Sequence, residues 1–184
     1  MGVALKAREQ LGAKERQVIE ERRRSGYRRD ALEHFGEVES ELRALIGRLL
    51  PGVPEAIDLA GFVDAHADDP IGRGDRSPGL PPIPDLFRLG LDALRDYGFA
   101  RMPAEEQDRL ISRMRRGQAD KEFGLPAKEF ADRLFVKALA GYLAHPDTWE
   151  RIGFNGPAYP NGYAWITPTA AVRRHEGFPG ASRL

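Results

Sequence analysis

The spacing of large apolar residues constrains this chain most, because it follows the period of an α-helix. Residues 126–144 are the most apolar segment, and Phe130, Leu134, Ala138 and Tyr142 recur there four positions apart. This spacing places side chains on one face of a helix. No convincing run of alternating apolar and polar residues occurs, so the sequence predicts an all-α protein.

Similar patterns predict about five helices in a small bundle. The predicted helices cover residues 30–50, 54–67, 85–97, 104–116 and 126–144. Residues 4–24 are rich in strong helix formers but hold few large apolar residues, which indicates a solvated helix or arm. Pro54 suits the first turn of its helix, and the proline- and glycine-rich residues 68–84 predict a loop.

The same patterns divide the chain into three parts. Residues 1–29 form a charged N-terminal helix or arm, residues 30–145 a helical domain, and residues 146–184 an irregular C-terminal segment. Five aromatic residues lie within 149–166, together with glycines, prolines and asparagines that suit turns. So many rings must be buried, against the chain's own helices or against a second polypeptide, since aromatic residues are enriched in interface cores.

Composition excludes several classes of function. The chain has 184 residues, no cysteine and a formal net charge of zero. The lack of cysteine excludes disulfides, thiolate metal sites and iron–sulfur clusters, and neutrality gives no general attraction to nucleic acid. The first residues lack the apolar core of a secretory signal, so from this chain alone we expect a cytoplasmic protein, or a periplasmic one if a partner carries it through export.

A cluster of acids and histidines is the most enzyme-like feature of the sequence. Asp64, His66 and Asp68 could ligate a metal or serve a stand-alone helical enzyme, with His145 as another candidate. Alternate residues on a helix do not share a face, so a polar helix end explains the cluster better. Common nucleotide-binding and hydrolase motifs are absent from the sequence. We therefore predict no catalytic, cofactor-binding or metal-ligating residue.

An arginine-rich stretch raises a different possibility. Residues 22–30 contain five arginines around Tyr27, a combination that could bind nucleic acid. Acidic residues lie among and around these arginines. A solvated helix face, or an arm that contacts an acidic partner, is therefore the better interpretation.

Three stretches of the chain carry a family resemblance. The first is LRALIGRLLPG at 42–52, followed by AIDLAGFVD at 56–64. The second is LFRLGLDALRDYGFARMPAEEQDRLI at 86–111, and the third is FVKALAGYLAHPDTWERIGFNGPAYPNGY at 135–163. The last combines a helix that ends in His-Pro with the pattern W..IGF.GP..P.GY. The chain thus resembles the gluconate 2-dehydrogenase subunit 3 family, the small, non-catalytic subunit of FAD-dependent sugar and polyol dehydrogenases of the glucose–methanol–choline type.

The resemblance implies a helical accessory subunit that stabilises a catalytic flavoprotein. That partner would hold FAD and oxidise a sugar or polyol, and this chain would hold no cofactor. Combining the resemblance with the clustered rings, we expect the partner interface at Trp149, Phe154, Asn155, Gly156, Pro157, Tyr159, Tyr163 and Trp165. The rings would supply apolar area, and Asn155 and Gly156 would hold the shape of the loop.

Overall fold

The computed structural model describes residues 12–68 and 79–154. Within these ranges the protein contains eight α-helices and no strand, so the predicted all-α class is confirmed. The helices are α1 Ala13–Ser25, α2 Glu39–Leu49, α3 Leu59–Ala65, α4 Ile83–Asp96, α5 Ala104–Arg115, α6 Asp120–Phe123, α7 Ala127–Ala144 and α8 Pro146–Trp149. Single turns of 3₁₀-helix at Gly36–Val38 and Phe99–Arg101 precede α2 and α5.

The described residues belong to two compact units. The larger unit spans Arg22–Thr148, and the smaller one includes residues 12–21 and 149–154. The core of the larger unit contains four fully buried phenylalanines, Phe35, Phe87, Phe99 and Phe130. The domain boundaries that the sequence suggested stay predictions.

Helix α7 is the central helix of the larger unit and packs against α2, α3, α4, α5 and α6. Phe130, Leu134 and Ala138 of the predicted stripe are fully buried, and Tyr142 is half-buried at its end. The buried face of α7 was therefore predicted correctly, because four-residue spacing aligns these side chains on one face.

Two glycines allow neighbouring helices to approach α7 closely. A Cβ atom on Gly90 of α4 would lie 2.4 Å from the ring of Phe130, and one on Gly141 of α7 would lie 2.5 Å from the ring of Phe62. These distances are far below van der Waals contact, so each glycine makes room for a ring. We call this closely packed region, Gly90–Phe130 and Gly141–Phe62, the α7 seam.

The prediction of a helix over 30–50 is wrong for its first residues, because the α-helix begins only at Glu39, the first residue of α2. Asp64 of α3 is fully buried and accepts hydrogen bonds from the backbone N–H groups of Glu33, His34 and Phe35 at 2.8, 2.8 and 3.0 Å. A continuous helix would direct these donors to carbonyls four residues earlier. The aspartate from a distant part of the chain replaces those partners and holds the segment in turns.

The helix predicted over 54–67 also begins late, with α3. Its N-cap is Asp58, whose carboxylate accepts a hydrogen bond from the N–H of Gly61 at 3.1 Å. Aspartate is among the residues most favoured at this position. The placement of Pro54 in the first turn is therefore wrong: Pro54 lies in the connection before the cap.

Candidate functional site

The structure describes the first part of the predicted partner-contacting segment. The rings of Trp149 and Phe154 pack edge to face with centroids 5.3 Å apart, and the Phe154 N–H donates to the Trp149 carbonyl at 2.8 Å. Both residues are half-buried, whereas Ile152 between them is 45% exposed. The remaining predicted interface residues lie outside the described residues and stay predictions: Asn155, Gly156, Pro157, Tyr159, Tyr163 and Trp165.

A second apolar surface lies on the C-terminal half of α7, and it was not predicted from the sequence. Val136, Ala140 and Leu143 are exposed, and their i, i+4, i+7 spacing places them on one face. Val136 is 51% and Leu143 41% exposed. We call these three residues the α7 stripe. Contiguous exposed apolar residues of this kind mark interaction surfaces.

The sequence does contain a signal for the α7 stripe. The second half of α7, FVKALAGYLA, is apolar on nearly every side. A helix that is apolar all round is expected to be covered all round. In the structure Leu134 and Ala138 are fully buried in the core, whereas the residues of the α7 stripe are exposed. None of the described helices has the length and apolar character needed to cross a membrane.

An aromatic cluster fixes the end of α7. The Tyr27 hydroxyl donates to the Gly141 carbonyl at 3.1 Å, and the Tyr27 ring lies 4.9 Å from Phe62 and 5.4 Å from His145, centroid to centroid. Tyr27 adopts a φ of 65°, a left-handed conformation that costs free energy for a bulky residue. The ring contacts and the hydrogen bond offset that cost and hold Tyr27 against α7.

His145 belongs to this cluster and is fully buried. Its Nδ1 accepts a hydrogen bond from the N–H of Asp147 at 3.2 Å, which requires an unprotonated Nδ1. Burial lowers the pKa of His145, and the nearby carboxylate of Asp147 opposes that shift. The imidazole is therefore a neutral structural group, and in this conformation it cannot touch a substrate.

The enzyme-like cluster of the sequence does not assemble into a site. Asp64 is occupied by backbone N–H groups, the His66 ring packs on Phe62 with centroids 4.4 Å apart, and Asp68 lies 3.8 Å from the imidazole of His34. Within the described ranges, no group of three histidine or acidic side chains is placed to hold a metal ion. The cluster is a helix end whose members serve separate structural contacts.

The arginine-rich stretch is largely occupied by contacts inside the larger unit. Arg22 donates to the carbonyl of the last residue of α7 at 3.1 Å, and Arg23 forms an ion pair with Asp147. A guanidinium nitrogen of Arg29 lies 3.6 Å from a carboxylate oxygen of Asp64. Three of the five arginines therefore stabilise the chain's own structure, which leaves a small basic surface for nucleic acid.

Comparison with known proteins identifies one family. A family profile described as gluconate 2-dehydrogenase subunit 3 matches residues 39–156, more than half of the chain. The matched range begins with α2, contains the α7 stripe and extends past the Trp149–Phe154 pair. No curated protein and no solved structure matches the chain.

Proposed function

Because the chain belongs to the gluconate 2-dehydrogenase subunit 3 family, as its sequence predicted, we propose that it is the small accessory subunit of a heteromeric FAD-dependent sugar or polyol oxidoreductase. It binds and stabilises the catalytic flavoprotein, which holds the FAD, and it performs no chemistry itself. The family match over 39–156 carries this proposal.

The α7 stripe supports a binding role with a physical reason. Full burial of a valine or leucine side chain contributes about 1.5–3 kcal/mol. Val136 and Leu143 are about half exposed, so covering both would contribute on the order of 2 kcal/mol. The exposed Ile152 beside the Trp149–Phe154 pair adds apolar area within the predicted segment. A partner surface that covers Val136 and Leu143 gains a favourable apolar contact.

The described residues give less support to a stand-alone enzyme. His145 is buried and neutral, and Asp64, His66 and Asp68 are held apart by their own contacts. A general acid or base must reach the proton that it transfers. The accessory role therefore explains more of the structure than catalysis does.

The test is co-expression of the chain with its candidate flavoprotein, using an affinity tag on this chain. The decisive variant is Val136→Glu, which places a charge in the α7 stripe at an exposed position where the fold tolerates it. We expect recovered flavin absorbance to fall about tenfold, because a buried unpaired carboxylate opposes association. The matched control is Val18→Glu, since Val18 is 47% exposed on α1.

The outcome separates binding from folding. Circular dichroism and the thermal unfolding midpoint of both variants should equal those of the wild-type chain. If the wild-type chain recovers no yellow protein, the accessory-subunit proposal is wrong. If Val136→Glu and Val18→Glu recover equal flavin, the subunit role stands and the α7 stripe is not its interface.

A further inference from the structure

A pocket of about 460 Å³ lies beside α2 in the larger unit. One wall is the outer face of α2, and the other is formed by residues 53–60, which lead into α3. Arg28, Arg29 and Arg43 also line it. The volume falls within the range of about 300–1,000 Å³ that is typical of ligand-binding sites. We call this space the α2 pocket.

Gly47 lines the α2 pocket, and no close contact at its Cβ position explains why this residue is a glycine. Gly47 lies in the last turn of α2 and is exposed, and glycine within a helix is destabilising relative to alanine. No atom outside its own stretch of helix lies within 4 Å of where its Cβ would be, and its φ is not left-handed. Gly90 and Gly141 differ, because each has a ring against it. The missing side chain at Gly47 leaves room for something that approaches from outside.

The apolar lining of the pocket indicates one half of the ligand's chemistry. Ile46 and Ile57 are 6% and 5% exposed at its base, and Leu50 and Val53 are half-buried beside them. An open pocket with an aliphatic base gains free energy when an apolar side chain displaces its water. The ligand of the α2 pocket should therefore carry an aliphatic or aromatic side chain.

The charged rim indicates the other half. Three arginines and two acidic residues, Glu55 and Asp58, line the pocket. Arg29 already has acidic neighbours outside the lining, at 3.6 Å from Asp64 and 3.8 Å from Glu33. Asp58 is already paired, since Arg43 donates to its two oxygens at 2.7 and 3.2 Å. Arg28 makes no ion pair with any residue that the structure describes. Its guanidinium is therefore available for a carboxylate from outside.

We propose that the α2 pocket binds an acidic, apolar peptide segment of the partner subunit, whose apolar side chain enters beside Gly47 and whose carboxylate meets Arg28. This proposal rests on the proposed function, because it takes the segment from the flavoprotein. A peptide fits better than a small free anion, since a glycine on the outer face of a helix permits the close approach of another backbone. Guanidinium–carboxylate pairing at the rim would fix the orientation of the segment.

The first experiment fills the pocket in the co-expressed complex. Gly47→Leu introduces a good helix former that projects into the pocket, and the matched control is Gly36→Leu. Gly36 is also exposed, lacks a left-handed φ and has no atom within 4 Å of its Cβ position. We expect Gly47→Leu to reduce recovered flavoprotein about tenfold with an unchanged or higher unfolding midpoint, and Gly36→Leu to recover it normally. Equal recovery by the two variants would overturn the inference.

The second experiment needs no flavoprotein. The isolated chain is titrated with the capped tetrapeptide ELDF and with its isosteric neutral counterpart QLNF, and the amide signals of Gly47 and Arg28 are followed by NMR. We expect ELDF to bind at least about tenfold more tightly than QLNF. Arg28→Glu should abolish this preference, while Arg101→Glu, at an exposed arginine outside the pocket, should preserve it.

The two experiments separate the possible failures. If the wild-type chain recovers no flavoprotein, the proposed function fails, and the ELDF titration still decides whether the pocket selects acidic peptides. If ELDF and QLNF bind equally, or if hexanoate binds as tightly as ELDF, the peptide assignment is overturned. Loss of the ELDF signal shifts in Gly47→Leu, with the shifts kept in Gly36→Leu, supports it.

Discussion

The α7 seam and the α2 pocket both depend on glycine in a helix, for opposite reasons. In the seam, Gly90 and Gly141 lie against phenylalanine rings, and a Cβ would come within 2.4 and 2.5 Å of them. In the pocket, Gly47 faces open space. The seam glycines are required by contacts within the chain. The pocket glycine has no such contact, and we infer that a partner uses the space.

The comparison also separates stability from function in this small protein. Close packing in the seam holds α3 and α4 against α7, and loss of such packing is among the costliest changes in a core. An open helix position carries no such cost. Substitutions in the two regions should therefore change the free energy of unfolding in opposite directions.

The largest effect is expected for Gly141→Ala. Its Cβ would overlap the Phe62 ring, and overpacking of this kind typically costs about 1–3 kcal/mol. We expect the free energy of unfolding to fall by about 2 kcal/mol in urea denaturation, even though alanine favours helix. Adding Phe62→Leu should restore part of the loss. A Gly141→Ala variant as stable as wild type would contradict the closed packing of the seam.

An intermediate effect on the free energy of unfolding is expected from a change of pH, because His145 lies beside the seam and can bind a proton. Its pKa is lowered mainly by burial. The carboxylate of Asp147 and a hydrogen bond to the Arg22 backbone oppose that shift, and the positive charges of Arg23 and Arg22 add to it. Between the ordinary pKa of 6.5 and the lower folded value, the unfolded chain binds a proton that the folded chain does not. The stability is therefore full above pH 6.5 and falls as the pH drops below it, by no more than about 1.4 kcal/mol per pH unit.

The measurement is urea denaturation between about pH 5 and 7.5, which lies above the usual titration of carboxylates. His145→Leu should flatten the pH dependence in this window. The control His34→Gln, at a half-exposed histidine, should preserve it. A pH dependence that is unchanged in His145→Leu would show that His145 is not its source.

The smallest effect is expected for Gly47→Ala, and it has the opposite sign. Alanine removes the backbone entropy cost of glycine in a helix, and no atom lies within 4 Å to clash with its methyl group. We expect the free energy of unfolding to rise by about 0.5–1 kcal/mol. Destabilisation in the same urea assay would mean that Gly47 serves an internal contact, and it would remove the contrast with the seam.

Local sequence patterns predicted the bounds of two helices closely. The predictions over 104–116 and 126–144 match α5 and α7 to within one residue at each end. Acids in the first turn and arginines in the last turn of α5 agree with the helix dipole. These helices were predictable because periodicity, dipole and terminators all act between residues that are near in sequence.

The errors arose where a distant side chain competes with the helix. Leu32, Phe35 and Val38 are buried, as their spacing suggested, yet the segment forms turns because Asp64 binds its N–H groups. Nothing within 30–38 reports that interaction. The α7 stripe was hidden for a related reason, since apolar residues on every side of α7 do not tell which side the core covers.

The sequence by itself determined the all-α class, the ends of α5 and α7 and the family, because these depend on patterns that do not require knowledge of three-dimensional contacts. Only the tertiary structure decided which glycines lie against an aromatic ring and which one faces open space. It also decided which apolar face of α7 is exposed. The physical reason is that helix periodicity is local, whereas burial, close approach and the capture of backbone N–H groups by Asp64 depend on residues far apart in the chain.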